Sequence, residues 1–216
     1  MPRPIKSSLR RHSIKKGGTK TGLSAAGINL ARVSGRTKLS GKVKGYTSPV
    51  TRAERTLKIG MGAYRAKGEK TYAVIRKRKE LGLDFAIKDM GKAEGLLIKH
   101  GEPKFLRMWL DGKVSSKIMT SPKEVADVII KKRLGLGQKV AKMGAKDIML
   151  ANQTHSWIVE AVFERLTGKK FNTLKPGTMV RETEGLTVTH YKNGKAVLNY
   201  RGNSFDITKR LNSVLK

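Results

Sequence analysis

The sequence predicts an α+β protein in three parts: an extended basic N-terminal arm over residues 1–46, a mainly helical segment over 47–153, and a small C-terminal α-β-β-β-α module over 154–216. Three observations carry this. The first 46 residues are rich in Gly, Ser, Thr, Lys and Arg and show little hydrophobic periodicity, so the arm is expected to stay disordered until bound. The centre places apolar residues at helical spacing behind two Thr-Ser-Pro starts. The end alternates apolar and polar residues around Asn193-Gly194, a strong hairpin signal.

The elements follow in order. Residues 23–33 allow one short helix inside the arm. Ser48 can cap a helix that Pro49 opens, with Val50, Ala53, Leu57, Met61 and Tyr64 on one face and Arg52, Arg55, Lys58 and Arg65 on the other. A second helix is expected from Glu69 to Leu81 and a third over 84–99. Residues 104–110 suit a strand or a short helix before the turn at Asp111-Gly112. Ser121 and Glu124 complete a capping box. Residues 138–151 read as helix. Thr154 is expected to cap another, with Trp157, Ile158, Ala161, Val162 and Leu166 on its stripe and Gly168 as its stop. Three strands at 178–183, 186–191 and 195–200 and a last helix over 205–215 close the chain. The order helix, three strands, helix resembles, in order alone, the double-stranded-RNA-binding domain, although the last helix lacks that family's lysine-rich start.

Charge sets the functional expectation. The 216 residues hold 47 Lys and Arg against 16 Asp and Glu, a formal net charge of +31, and the first acidic residue is Glu54. Folding so charged a chain costs self-repulsion, so a polyanion is the expected partner. The sequence therefore predicts a non-enzymatic, nucleic-acid-binding structural protein of a ribonucleoprotein or virion, which gains affinity from counterion release on RNA or DNA. Phosphate contacts are assigned to Arg3, Lys6, Arg10, Arg11, Lys15, Lys16 and Lys20 in the arm, and to Arg76, Lys77, Arg78 and Lys79. Lys131, Lys132, Arg133, Lys139 and Lys142 extend the set, and Lys192, Lys195 and Arg201 complete it on the hairpin. Tyr191 and Tyr200 could stack bases there or pack inward. Other proteins of a large assembly are expected partners. The location expected is intracellular or virion-internal; a basic, acid-poor start also suits organelle import. No apolar run is long enough to span a membrane.

Chemical motifs are sparse. There are no cysteines. None of His12, His100, His155 and His190 pairs with another at helical spacing, so no helical zinc site is indicated and no cofactor is implied. Two competing functions remain: a sequence-reading DNA-binding regulator, for which no recognition helix can be named, and a metal-dependent nuclease built on Asp89, Glu102 and Lys104. Scattered acids in a lysine-rich chain are more simply solvated surface groups. The glycine pairs Gly60/Gly62 and Gly135/Gly137 lack the spacing of a P-loop or a dinucleotide fingerprint. They suit a helix break or the close approach of another backbone.

Overall fold

The computed structural model describes residues 4–17, 22–174 and 179–216. Its seven strands are β1 (Ile5–Arg11), β2 (Lys42–Thr47), β3 (Arg76–Lys77), β4 (Ile148–Thr154), β5 (Gly185–His190), β6 (Ala196–Tyr200) and β7 (Asn203–Asp206). They form one sheet in the order β3-β2-β4-β1-β5-β6-β7. The four strands from β3 to β1 run parallel, and β5, β6 and β7 add an antiparallel edge.

This mixed α/β sheet overturns the expected α+β class. The basic arm contains the central strand, and the three closing strands continue the main sheet, which also removes the double-stranded-RNA-binding resemblance. The arm reads as a loop because β1 is unusually polar. Its Ser7 and Ser8 are 0% and 1% exposed. Side chains of neighbouring strands bond to it, although the Ser8 hydroxyl itself has no partner: His190 Nε2 meets Ser7 Oγ at 3.0 Å, and Asn152 Nδ2 donates to the Ser8 carbonyl at 2.9 Å. A buried polar strand is stable only when such partners exist, and they are distant in sequence.

Helices cover both faces. α1 (Ala25–Lys38) and α2 (Thr51–Arg65) lie on one, where Leu57, Met61 and Tyr64 pack on Val43, Met149 and Ala151. On the other lie α5 (Pro122–Ile129), α6 (Gly135–Lys142), α7 (Ser156–Thr167) and α8 (Thr208–Leu215). There Val125, Ile129, Val159 and Val162 join Leu9, Leu150, Leu186 and Val188. Adjacent Met149 and Leu150 thus serve opposite cores, as the strand period of two requires. α3 (Met90–His100) and α4 (Glu102–Leu110) form an excursion whose Phe105 and Trp109 stack against Trp157.

The Ser121–Glu124 capping box is present, Gly168 ends α7 in the left-handed conformation, and Asn193-Gly194 joins antiparallel β5 and β6. The expected helix from Glu69 to Leu81 is instead irregular chain, β3 and a single 3-10 turn, because only Leu81 of that stretch is buried; a helix polar all round has nothing to bury. The helix expected over 138–151 stops at Lys142; Gly144, at φ +78°, turns the chain into β4. Thr154 does not cap α7, since its hydroxyl donates to the Leu81 carbonyl at 2.6 Å. Of the strand expected at 178–183, the described residues form a loop.

Gly60, Gly135 and Gly137 serve close approach between protein elements, whereas a Cβ on Gly62 would meet nothing. A Cβ on Gly35 of α1 would collide with the backbone of Gly60 in α2, and one on Gly137 with Ser7 and His190. Gly35→Leu is expected to destabilise the fold by more than about 2 kcal/mol, since neither backbone can retreat from a packed core. A denaturant titration would read this as a lower midpoint at unchanged slope. Among the described residues no helix is long and apolar enough to cross a membrane.

Candidate active site

β1 and β4 run parallel with Arg11 opposite Thr154. The next residue of each strand, His12 and His155, therefore emerges beside the other. From β1 the chain goes to α1 on one face; from β4 it enters α7 on the other. Where neighbouring parallel strands send their connections to opposite sides, a crevice opens at their carboxyl ends. The two imidazoles meet there edge-on, their centroids 5.1 Å apart and their planes at 76°.

The tautomer of His12 is fixed from both ends. Nδ1 lies 2.8 Å from the Ser13 carbonyl, which can only accept, so Nδ1 carries the proton. Nε2 accepts from Arg52 Nε at 2.9 Å, so it holds a bare lone pair. Burial, with Arg52 and Arg11 close by, pushes His12 down to about 4, and the ring stays neutral near pH 7. His155 is 3% exposed, and burial, with His12 and Arg52 beside it, pushes it down to about 3. Its Nε2 is buried with no partner in the protein.

Two cations frame the pair. Arg52 comes from the first turn of α2, which is clipped to the end of β1: Ser13 N donates to Thr56 Oγ1 at 3.0 Å, and that hydroxyl donates to the Arg52 carbonyl at 2.7 Å. Arg11 donates from Nη1 to the Val180 carbonyl at 2.7 Å and pairs with Glu182 at 3.3 Å. Three carboxylates stand around them. Asp84 and Glu102 act on Arg52, Glu182 acts on His12, and Glu102 accepts from Trp157 Nε1 at 3.2 Å. Two guanidinium groups, an unpartnered imidazole nitrogen and an unprotonated imidazole nitrogen that accepts from Arg52 suit a tetrahedral oxyanion facing a nucleophile. Among the described residues no cluster of three or more His, Asp or Glu is placed to hold a metal ion. Asp89 caps α3 at its own Lys92 amide, at 3.0 Å.

No family model matches the chain, and no curated relative matches it. Solved structures do. Phosphoglycerate mutase from Bacillus anthracis superposes at a TM-score of 0.58, with 15% identity, over 100% of this chain and 98% of that one. The chain has the fold of phosphoglycerate mutase. A mycobacterial glucosyl-3-phosphoglycerate phosphatase in complex with inorganic phosphate gives a TM-score of 0.55 at 14% identity, over 92% of this chain and 97% of that one. The protein histidine phosphatase SixA complexed with tungstate gives 0.50 at 13% identity, over 94% and 98%. The mutase fold, shared with enzymes along its whole length, overturns the expectation of a non-enzymatic nucleic-acid-binding protein of a ribonucleoprotein or virion. The expectation that the chain is not an enzyme falls with it.

Of the cations assigned from sequence, Arg11 is the one that reaches this crevice among the described residues. Arg10 points to the opposite face of β1, under α1 and α2, and donates to Thr187 Oγ1 at 3.2 Å. Lys6 is half-buried in β1. Arg78 and Arg133 sit over the Tyr46 ring, and Arg133 also pairs with Glu80 at 3.2 Å. Lys77 pairs with Glu54 at 2.8 Å, and Arg201 with Glu184 at 2.7 Å. Lys15, Lys16, Arg76, Lys79, Lys131, Lys132, Lys139, Lys142, Lys192 and Lys195 are exposed and scattered. Arg3 and Lys20 lie outside the described residues. Tyr200 packs inward against Phe163 and Phe171, while Tyr191 is exposed. Sequence reasoning missed His12, Arg52 and His155 as a set. The available signal was two histidines, each directly following a short segment that can be read as a strand.

Proposed function

We propose that the protein is a phosphatase that hydrolyses phosphate monoesters through a phosphohistidine at His12. The observation that carries this reading is the locked tautomer, which aims a neutral Nε2 lone pair into a pocket of two arginines and an unpartnered imidazole. A phosphoryl dianion would take the Arg52 N–H that now rests on Nε2, freeing the lone pair. Nε2 attacks phosphorus, the P–O bond to the alcohol breaks, and the leaving oxygen takes a proton from a water beside the facing carboxylates. The hydroxide left from that water attacks the phosphohistidine, restores His12 and releases inorganic phosphate. Arg11, Arg52 and His155 hold the three non-bridging oxygens, whose charge is redistributed in the transition state. Two of the structural neighbours were solved with an oxyanion, tungstate in one and inorganic phosphate in the other, and this supports a role for such an anion here.

The test is hydrolysis of phenyl phosphate by the purified chain. Arg52→Ala is expected to lower kcat/KM by about two to three orders of magnitude and to weaken inhibition by tungstate. Unchanged inhibition in that variant would place the oxyanion elsewhere.

A further inference from the structure

A cleft of about 510 Å³ opens beside the proposed phosphoryl site, with Arg11 and Glu182 on the wall it shares with that site. Its far walls come from α4, from Glu160 of α7 and from the chain that follows α7. Leu106, Leu110, Phe171 and Val180 supply an apolar lining. All but one of the charged groups that line it are already committed. Arg107 is held by Glu164 and by Asp111, both at 2.8 Å. Arg11 is held by Glu182. Glu160, 2% exposed, accepts from the Val180 amide at 2.9 Å, and burial pushes its carboxyl up to about 7. The remaining charged lining residue, Arg181, is solvent-exposed.

We infer that this cleft receives the leaving group and that the substrates are phosphate monoesters of bulky apolar alcohols or phenols. The inference rests on the phosphatase reading. A polar substituent set against Leu106, Leu110 and Phe171, away from the solvent-exposed Asn172 and Arg181, would be buried with no partner, which is costly. An aromatic or branched body would be rewarded for each carbon it removes from water. The volume is in the range of small-molecule sites and exceeds a single ring. Arg11 and Glu182 belong to both the phosphoryl site and the cleft, so the cleft is the space next to the ester oxygen on their side. The alcohol leaves through that space with the proton it has received.

The experiment compares kcat/KM for 1-naphthyl phosphate, phenyl phosphate and 3-phosphoglycerate on the full chain. The two phenols are of similar acidity, so intrinsic reactivity is matched and the second ring reports the cleft. The naphthyl ester is expected to exceed the phenyl ester by about tenfold or more, and both to exceed 3-phosphoglycerate. Leu110→Glu is expected to bring the naphthyl-to-phenyl ratio close to one, while Leu110→Met retains it. A wild-type ratio of one or less, preference for 3-phosphoglycerate, or a ratio that Leu110→Glu leaves untouched overturns the leaving-group assignment alone. Failure to hydrolyse any of the three esters removes the phosphatase reading and this inference together.

Discussion

His12→Ala is expected to abolish ester hydrolysis, with kcat falling by at least about four orders of magnitude. Without Nε2 no covalent intermediate can form, and the arginines alone only bind the anion. The fold should survive, because the ring's partners are local: the Ser13 carbonyl next in sequence and Arg52, whose guanidinium can turn to solvent. Added imidazole should restore part of the activity, since a small nucleophile fits the vacated space beside Arg52. That rescue separates a nucleophile from a residue that merely holds the fold. A His12→Ala enzyme retaining a tenth of wild-type activity would contradict the assignment.

Acid is expected to unfold this protein well before ordinary carboxylates titrate. His12, His155 and His190 are pushed down to about 4, 3 and 4 by burial. His12 faces Arg52, Arg11 and Glu182; His155 faces His12, Arg52 and Arg11; His190 lies between Ser7 and Gln138. A lowered folded value means that the stability is present above the unfolded value near 6.5 and is lost as pH falls toward the folded value. Each histidine contributes about 1.4 kcal/mol per pH unit inside that window. Glu160 opposes them: raised to about 7, it binds a proton in the fold and favours the folded state as pH falls toward 4.5. Three against one leaves roughly 2–3 kcal/mol lost per unit between about pH 6 and 5. Urea midpoints measured across that interval should drop steeply. Midpoints that stay level between pH 7 and 5 would mean that the histidines are hydrated or paired differently.

Local signals in the sequence were legible where local physics decides. The Ser121–Glu124 box, the Gly168 stop, the Asn193-Gly194 hairpin and the apolar stripe of α7 depend on residues within a few positions of each other. The centre of the sheet was not legible. Ser7, Ser8 and Arg10 look like loop residues until His190, Asn152 and Thr187 arrive from more than a hundred residues away to bond the Ser7 hydroxyl, the Ser8 carbonyl and the Arg10 guanidinium. β4 was absorbed into an apparent helix because its apolar start, Ile148–Ala151, fits either period once Gly144 is overlooked. The site was hidden for the same reason. His12 and His155 are far apart in sequence and meet only because two parallel strands end in register. The excess of positive charge pointed toward phosphate, and Arg11 does stand at the proposed phosphoryl site. Of the other assigned cations that the structure describes, Arg10 and Lys6 are taken into β1 and the rest pair with acids and rings or spread over the surface.

The most direct measurement is to quench the protein in alkali within the first turnovers on phenyl phosphate and to map the modified residue by peptide mass spectrometry. The account predicts one acid-labile, alkali-stable phosphoryl group, on the peptide containing His12 and lost in His12→Ala. A phosphoryl group on another residue, or turnover with no trapped adduct under conditions that preserve phosphohistidine, would contradict it.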